Sequence, residues 1–313
     1  APVCAVDLPS GIAGDTGKAL GPAVQARWTV AFQAAKIGHM LLPGRAHCGE
    51  LHVVPLSILR EETLEGVHTQ WIRPGDLLSA LPVRRMEGHK GDYGHGLLIG
   101  GSVGYVGAAL MAGRAALRSG IGLLSIGTPQ SVASALWAGL PGAMTHPLEE
   151  AGGRLSQQAM SAFFELMEGK SCFAIGPGLG KTEAALPMIR ALCASGKPVV
   201  VDADGLNALA GNLDALAGGN AVLTPHPGEM ARLCGRSVGQ VLENPVECAS
   251  DLAMRLGVVV LLKGATTVIA DPDGNVTFNT AGTPGLSKGG SGDVLTGIIL
   301  ALLGQGMSCY DGA

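Results

Sequence analysis

From Lys90 onward, short apolar segments typical of strands alternate with predicted helices, and several of these segments end in a glycine-rich turn. Residues 258–262 are apolar throughout, which is typical of a strand covered by helices on both faces. Residues 271–274, Asp-Pro-Asp-Gly, predict a turn between two paired strands. The alternation of strands with helices predicts an α/β fold with a mostly parallel central sheet.

The composition agrees with a large α/β core and excludes several classes of function. Apolar residues make up 47% of the 313 residues, charged residues only 15%, and 49 residues are glycine. The net charge of −4 and the lack of a basic stripe exclude nucleic acid as a partner. No apolar stretch is long enough to cross a bilayer, so we expect no membrane partner. Seven scattered cysteines without a Cys-x-x-Cys pair indicate reduced thiols and a cytoplasmic protein.

Three regions differ in composition along the chain. Residues 1–58 contain strand-like and glycine-rich segments, and residues 59–84 are more charged and contain Pro74 and Pro82. We interpret residues 59–84 as a linker and residues 85–313 as the main domain. The chain opens with Ala1 on a strand-like segment and closes just after a helix, so we expect a fragment of a longer protein.

The most informative motif is residues 287–293, Ser-Lys-Gly-Gly-Ser-Gly-Asp, which precede an apolar helix. Glycines expose backbone N–H groups, and the first turn of a helix adds unpaired N–H groups and a positive dipole end. Such a terminus binds phosphate. A carboxylate beside it, Asp293, would repel phosphate unless it had a chemical task there. We therefore predict that Asp293 takes the proton of a hydroxyl that accepts a phosphoryl group.

Two further glycine loops follow predicted strands. Residues 176–182, Gly-Pro-Gly-Leu-Gly-Lys-Thr, do not form a P-loop, because Ile175 occupies the position of that motif's first glycine. This loop and residues 100–109 are either packing turns or loops that let a ligand approach the backbone. In an open α/β sheet, such loops gather along one edge, where ligands bind.

Charged side chains close to the predicted strand ends have two readings each. His226 lies between two prolines and either contacts a ligand or has a structural role. Glu229 is expected to cap the following helix or to complement its dipole. Asp202 and Asp204 either hold Mg²⁺ through water or cap a turn and a helix. Lys263 is either solvated or contacts a nucleotide phosphate.

These motifs, in this order, resemble the ADP/ATP-dependent NAD(P)H-hydrate dehydratases over about residues 85–313. The resemblance implies a ribokinase-like, three-layer α/β/α domain with a mostly parallel central sheet. The segments that carry it are residues 90–96 (Lys-Gly-Asp-Tyr-Gly-His-Gly), 100–102, 176–180, 202–205, 224–229, 263–264 and 289–293.

The resemblance implies an activity and a set of residues. The activity is the ADP-dependent (or ATP-dependent) dehydration of (S)-NAD(P)HX, the hydrated cofactor, with Mg²⁺, by phosphorylation of the ring hydroxyl and elimination of phosphate. It makes Asp293 the catalytic base, and it implies a homo-oligomer, with a tetramer favoured. The implied contacts to the hydrated dinucleotide are Ala108, Gly178, His226 and Asp293. The implied contacts to the nucleotide are Lys263, Gly264, Ala265, Thr266, Thr267 and Gly292.

Residues 1–58 resemble the end of an NAD(P)H-hydrate epimerase, which implies a partial Rossmann-like α/β domain. By this resemblance Asp7 contacts the hydrated nicotinamide and Ser10 helps to bind a potassium ion. The parent protein is then expected to interconvert (R)- and (S)-NAD(P)HX. The segments that carry the resemblance are residues 7–11 (Asp-Leu-Pro-Ser-Gly), 15–17, 29–32, Lys36 and Gly38.

Two other functions remain compatible with the 287–293 loop. One is a kinase of the same superfamily that acts on a sugar or a vitamin alcohol, and the other is a non-catalytic nucleotide-binding module. The loop cannot distinguish the kinase from the dehydratase, because both share it. The His226 loop, residues 176–180 and the epimerase-like segment favour the dehydratase.

Overall fold

The structure is a computed structural model that describes residues 1–57, 66–77 and 79–313. Its first part is a small α/β unit with a parallel sheet in the order β1-β2-β3. Two short helices, Ile37–Met40 and Gly44–Cys48, connect β2 to β3. The strands are β1 (Cys4–Val6), β2 (Trp28–Phe32) and β3 (Glu50–Val54).

A larger sheet forms the main body, and its order within the described residues is β4-β15-β14-β13-β12-β11-β10-β5-β6-β7. From β13 to β7 all neighbours are parallel, whereas β14 is antiparallel to both β13 and β15. A separate hairpin consists of β8 (Glu150–Ala151) and β9 (Arg154–Leu155). The strands of the large sheet are β4 (Thr69–Ile72), β5 (His95–Ile99), β6 (Leu123–Pro129), β7 (Met144–Leu148), β10 (Cys172–Ile175), β11 (Val199–Val201), β12 (Ala221–Leu223), β13 (Val259–Leu262), β14 (Thr267–Ala270) and β15 (Val276–Asn279).

Helices cover both faces of this sheet. Successive residues of β5 point to opposite faces, so Leu97 and Ile99 join one buried cluster and Leu98 joins the other. The predicted three-layer α/β/α architecture is confirmed. The helices of the first face are Met160–Met167, Ala185–Ala194, Asp204–Leu209, Pro227–Cys234, Val238–Glu243 and Pro245–Leu256, and those of the second are Val106–Arg118, Ala133–Gly139, Ser291–Gly304 and Cys309–Gly312.

Part of the predicted linker belongs to the large sheet. Strand β4 lies within residues 59–84 and pairs in parallel with β15, and a short helix, Pro74–Leu77, follows it. The predicted boundary between residues 58 and 59 lies outside the described residues, so the domain limits stay a prediction. All seven cysteines are free thiols, as the sequence predicts. In the part of the chain that the structure describes, no helix has the length and apolar character to cross a bilayer.

Candidate active site

Asp202 connects three elements at the carboxyl edge of the sheet. It follows β11 directly, and only 2% of its surface is exposed. One carboxylate oxygen, Oδ1, accepts hydrogen bonds from Thr224 Oγ1 at 2.8 Å and from Lys263 Nζ at 2.9 Å. The other oxygen, Oδ2, accepts from Thr296 Oγ1 at 2.8 Å. Asp202 thereby holds together the loop after β12, the end of β13 and the helix Ser291–Gly304.

Asp293 lies in the first turn of that helix, beside this network. Gly290, the residue before the helix, has a positive φ of 92° and no side chain to bind the free N–H groups of the first turn. Burial raises the pKa of the Asp293 carboxyl above its usual range, and the nearby negative charges of Asp202 and Asp204 raise it further. Lys263 partly opposes this rise. The site therefore combines a carboxylate of increased basicity with a helix terminus that has the unpaired N–H groups and the dipole direction that favour an anion.

Gly292 brings the backbone of this turn close to the ion pair. A Cβ at this position would lie 3.4 Å from Lys263 Nζ and 3.6 Å from Asp202 Oδ2. A side chain larger than glycine would therefore fill the space beside the ammonium group. The structure thus places Lys263, Gly292 and Asp293, predicted separately from the sequence, within one site.

His226 has a structural role and also keeps an exposed ring edge. Its Nδ1 accepts hydrogen bonds from the amides of Gly228 and Glu229, at 2.9 and 3.2 Å, and so caps the helix Pro227–Cys234. The side chain is 52% exposed, which leaves the ring accessible to a ligand. Glu229 accepts from the His226 amide at 2.8 Å, so its predicted capping role is confirmed. Burial raises the pKa of Glu229, although this amide and Lys263, 3.9 Å away, oppose the rise.

The 100–102 and 176–180 loops contact each other at the same edge. Gly178 has a φ of 61°, and a Cβ there would lie 2.9 Å from the Ala108 methyl group and would overlap the Tyr105 carbonyl. Ser102 Oγ donates to the Gly178 carbonyl at 2.8 Å. The Gly180 amide donates to Asp204 Oδ2 at 2.8 Å. The predicted substrate contacts Ala108 and Gly178 are therefore neighbours, and Asp204 connects their loop to β11.

The remaining predicted nucleotide contacts follow Lys263 in the loop between β13 and β14. Gly264 and Ala265 are exposed. The Thr266 hydroxyl is buried and donates to the Met40 carbonyl of the first unit. Thr267 is half-buried at the start of β14. Only the first part of this loop is thus open to a ligand from solvent.

Asp7 and Ser10 lie outside this site, in the first unit. Burial acts to raise the pKa of Asp7, but hydrogen bonds from Lys36 Nζ and the Phe32 amide outweigh it, and the net shift is downward. His39 Nε2 lies 2.7 Å from the Asp7 carbonyl. Ser10 is exposed, and its carbonyl accepts from the Val24 amide. The first unit therefore has its own polar cluster around Asp7.

Two hydroxyls of the network were not predicted from the sequence. Thr224 directly follows β12, and Thr296 lies three residues after Asp293 in an apolar helix. A single hydroxyl in such an apolar run was the only available signal for Thr296. Nothing in the sequence indicated that Asp202 was its partner, because 94 residues separate the two.

Within the described residues, protein side chains alone do not build a metal site. These residues contain no group of three or more His, Cys, Asp or Glu side chains placed to hold a metal ion. The Asp202 carboxylate is already bound by Lys263 and two threonines. These residues fit a magnesium ion only if nucleotide phosphates and water complete its ligands, as is usual for Mg²⁺. They provide no protein cage for a cation.

Comparison with known protein families identifies the main domain. Residues 96–313 match the model described as NAD(P)H-hydrate dehydratase. The chain belongs to this family. Residues 1–38 match a second model, the amino terminus of YjeF-related proteins. The family predicted from the 85–313 motifs is thus confirmed, and the matched region includes Asp202, Lys263 and Asp293.

Relatives of this family cover the whole chain. Bifunctional NAD(P)H-hydrate repair enzymes of Moorella thermoacetica and Escherichia coli are 43% and 40% identical to it over 97% and 100% of its length. The chain spans 58% of the length of each of these relatives.

Solved structures show the same fold. The ADP/ATP-dependent NAD(P)H-hydrate dehydratase of Bacillus subtilis, crystallised with ATP and Mg²⁺, is 36% identical with a TM-score of 0.65, and the match covers 78% of this chain and 83% of that one. A ribokinase-like superfamily protein of Enterococcus faecalis is 26% identical with a TM-score of 0.67, and the match covers 76% of this chain and 81% of that one. The predicted ribokinase-like fold is confirmed.

Proposed function

We propose that this protein dehydrates (S)-NAD(P)HX in an ADP-dependent reaction and so restores NAD(P)H. The observation that carries the proposal is the position of Asp293. The Asp293 carboxyl has a raised pKa, and it lies beside Lys263 at a helix terminus with free N–H groups. Membership of the dehydratase family supports the choice of substrate. The names of relatives at 40% identity and above support it as well.

The proposed reaction begins with phosphoryl transfer to the ring hydroxyl. Asp293 takes the hydroxyl proton while the oxygen forms a bond to the β-phosphorus of ADP, and the bond from that phosphorus to the bridging oxygen of AMP breaks. The amides of the Gly290–Gly292 turn bind the charge of the transferred group. Hydroxide is a poor leaving group, whereas phosphate, which can leave once the ester has formed, is a good one. The lone pair of the ring nitrogen then expels phosphate, and loss of a proton from the neighbouring ring carbon restores the double bond.

Other residues of the site bind and orient the two substrates in this proposal. Lys263 contacts the nucleotide phosphates, and the exposed backbone of Gly264, Ala265 and Gly292 approaches the same ligand. The exposed ring of His226 and the surface around Ala108 and Gly178 contact the hydrated dinucleotide. Magnesium, when it is bound with the nucleotide, neutralises phosphate charge. ATP is the alternative phosphoryl donor, since a relative was crystallised with ATP and Mg²⁺.

The first unit is proposed to belong to an epimerase domain of the longer protein. Asp7 would contact the hydrated nicotinamide there, and the whole protein would interconvert (R)- and (S)-NAD(P)HX. Ser10 offers a hydroxyl and one carbonyl, and potassium needs several more oxygen ligands, so no step is assigned to that ion. We further propose a cytoplasmic homo-oligomer, with a tetramer favoured. Light scattering of the purified protein measures that state.

The test is to incubate the protein with hydrated NADH, ADP and Mg²⁺ and to follow the absorbance of reduced nicotinamide. Asp293→Asn should lower turnover about 10²- to 10⁴-fold, which is the usual contribution of a general base. The variant should still bind ADP in calorimetry, because Lys263 and the helix terminus remain. Near-normal turnover of Asp293→Asn would refute the assignment of the base.

A matched control separates a catalytic effect from a general one. Asp273 is an exposed aspartate in the turn between β14 and β15, so Asp273→Asn should keep wild-type turnover. A kinase acting on a sugar or vitamin alcohol would leave a stable phosphate ester and would not restore absorbance from the hydrate. A binding module would bind ADP without turning over any hydrate. Either result would replace the proposed function.

A further inference from the structure

The first unit makes direct contact with the loop proposed to bind the nucleotide. Arg45, in the short helix Gly44–Cys48, reaches two segments that follow β13 and β15. Its Nη1 donates to the Ala265 carbonyl at 3.0 Å and to Thr266 Oγ1 at 3.3 Å. Its Nη2 donates to the Thr280 carbonyl at 2.7 Å. One guanidinium group therefore bridges the two loops.

A second contact holds the same loop from the first unit. The buried hydroxyl of Thr266 donates to the carbonyl of Met40, which ends the helix Ile37–Met40. Arg45 binds the carbonyl of Thr280, and Trp71 Nε1 of β4 donates to the Thr280 hydroxyl at 3.0 Å. Ala265 and Gly264 remain exposed. The loop is thus fixed along its inner side and open along its outer side.

We propose that Arg45 is a positioning residue for the nucleotide, through which the epimerase-like unit sets the ADP affinity of the dehydratase. The inference rests on the proposed function, because it takes Gly264 and Ala265 as nucleotide contacts. A loop held in one conformation before binding loses less entropy when the ligand arrives. Nucleotide binding and the packing of the two units then share a coupling free energy.

The geometry calls for arginine and not merely for a positive charge. Two Nη groups of one planar fork reach two carbonyl oxygens from different loops at the same time. A lysine ammonium has a single nitrogen at the end of a flexible chain and cannot reproduce this bridge. A lysine at position 45 would therefore keep the charge but lose the connection between the loops.

The experiment compares Arg45→Ala and Arg45→Lys with the wild-type protein, with the ADP dissociation constant measured by calorimetry. Both variants should raise that constant about tenfold, which is a change of about 1.4 kcal/mol. In steady-state assays the KM for ADP should rise and kcat should stay unchanged, because Arg45 does not touch the reacting groups. Arg27→Ala is the control, since Arg27 belongs to the same unit but stacks on Trp28 at 4.6 Å. It should keep wild-type ADP affinity.

Each outcome decides the inference. Wild-type ADP affinity in Arg45→Ala would overturn it, even if that variant unfolds at a lower temperature, because Arg45 would then only stabilise the fold. Wild-type affinity in Arg45→Lys would also overturn it, since charge alone would suffice. If Arg45→Ala does not fold, Arg45→Lys decides by the same measurement. If the wild-type protein binds no ADP, the proposed function fails and the inference fails with it, whereas unchanged affinity in the variants refutes the inference alone.

Discussion

Substitution of the buried Asp202 tests how much its hydrogen bonds and ion pair stabilise the fold around the site. In Asp202→Asn, an amide replaces an acceptor that binds Lys263 Nζ at 2.9 Å and the hydroxyls of Thr224 and Thr296, each at 2.8 Å. The amide nitrogen can only donate, so a threonine hydroxyl that faces it must turn from donor to acceptor, and the Lys263 ammonium loses its bond if it faces the nitrogen. The negative charge that balances Lys263 is lost as well.

The size of the effect follows from burial. Removing one partner of a fully buried ion pair costs roughly 3–5 kcal/mol. The Lys263 side chain is 23% exposed, and Glu229 Oε2 remains 3.9 Å from its Nζ, so water and a second carboxylate compensate in part. We therefore expect Asp202→Asn to lower the free energy of unfolding by about 2–3 kcal/mol, below the fully buried case.

Urea denaturation of the variant and the wild type measures this difference, with an unchanged m-value as the sign that the same surface unfolds. Asp214→Asn is the matched control. Asp214 pairs with Arg190 at 2.6 Å, but its side chain is 68% exposed, so its removal should cost about 0–1 kcal/mol. If the two variants differ by less than about 1 kcal/mol, the network around Asp202 does not stabilise the fold as the distances imply.

Two further predictions concern the helix Ser291–Gly304. Because burial and Asp202 raise the pKa of Asp293, its ionisation should cost stability as the pH rises through that pKa. Asp293→Asn should therefore be more stable than the wild type near neutral pH but not in acid. Thermal unfolding measures this difference, and an equal gain at every pH would contradict the prediction. A Cβ on Gly297 would overlap the Ala112 carbonyl of the neighbouring helix, so Gly297→Ala should lower the free energy of unfolding by about 1–3 kcal/mol. Gly239, in the helix Val238–Glu243, has free space around it, so Gly239→Ala should raise that free energy by up to about 1 kcal/mol. Denaturation measures both.

The sequence predicted accurately the strand that it showed to be apolar throughout. Residues 258–262 agree with β13 (Val259–Leu262) to within one residue at each end. Buried strands leave a continuous apolar signal, and the glycine loops mark their ends. Strand β7 and the hairpin of β8 and β9 were not predicted. The burial of β7 is mixed and it contains a proline, so it lacks that signal.

The helix of Asp293 was predicted because its start and its apolar run are both local features. Helices such as Met160–Met167 and Ala133–Gly139 were missed, since no glycine loop or capping residue that we recognised marked their beginning. Strand β4 was assigned to a linker. Two of its four residues are exposed and none is fully buried, so it lacks a continuous apolar signal, and only its pairing with β15 makes it part of the sheet.

Sequence alone determined the α/β class and the glycine turn before the helix Ser291–Gly304, and it was sufficient to propose phosphate binding by that turn and Asp293 as a base, because each depends on residues that are close together in the chain. The tertiary structure decided which distant groups meet. Asp202 pairs with Lys263 and Thr296, 61 and 94 residues away, and Arg45 meets Ala265 across 220 residues. Such contacts arise from the parallel order of the strands and the packing of the two units. No local pattern of apolar, polar or glycine residues encodes these partners.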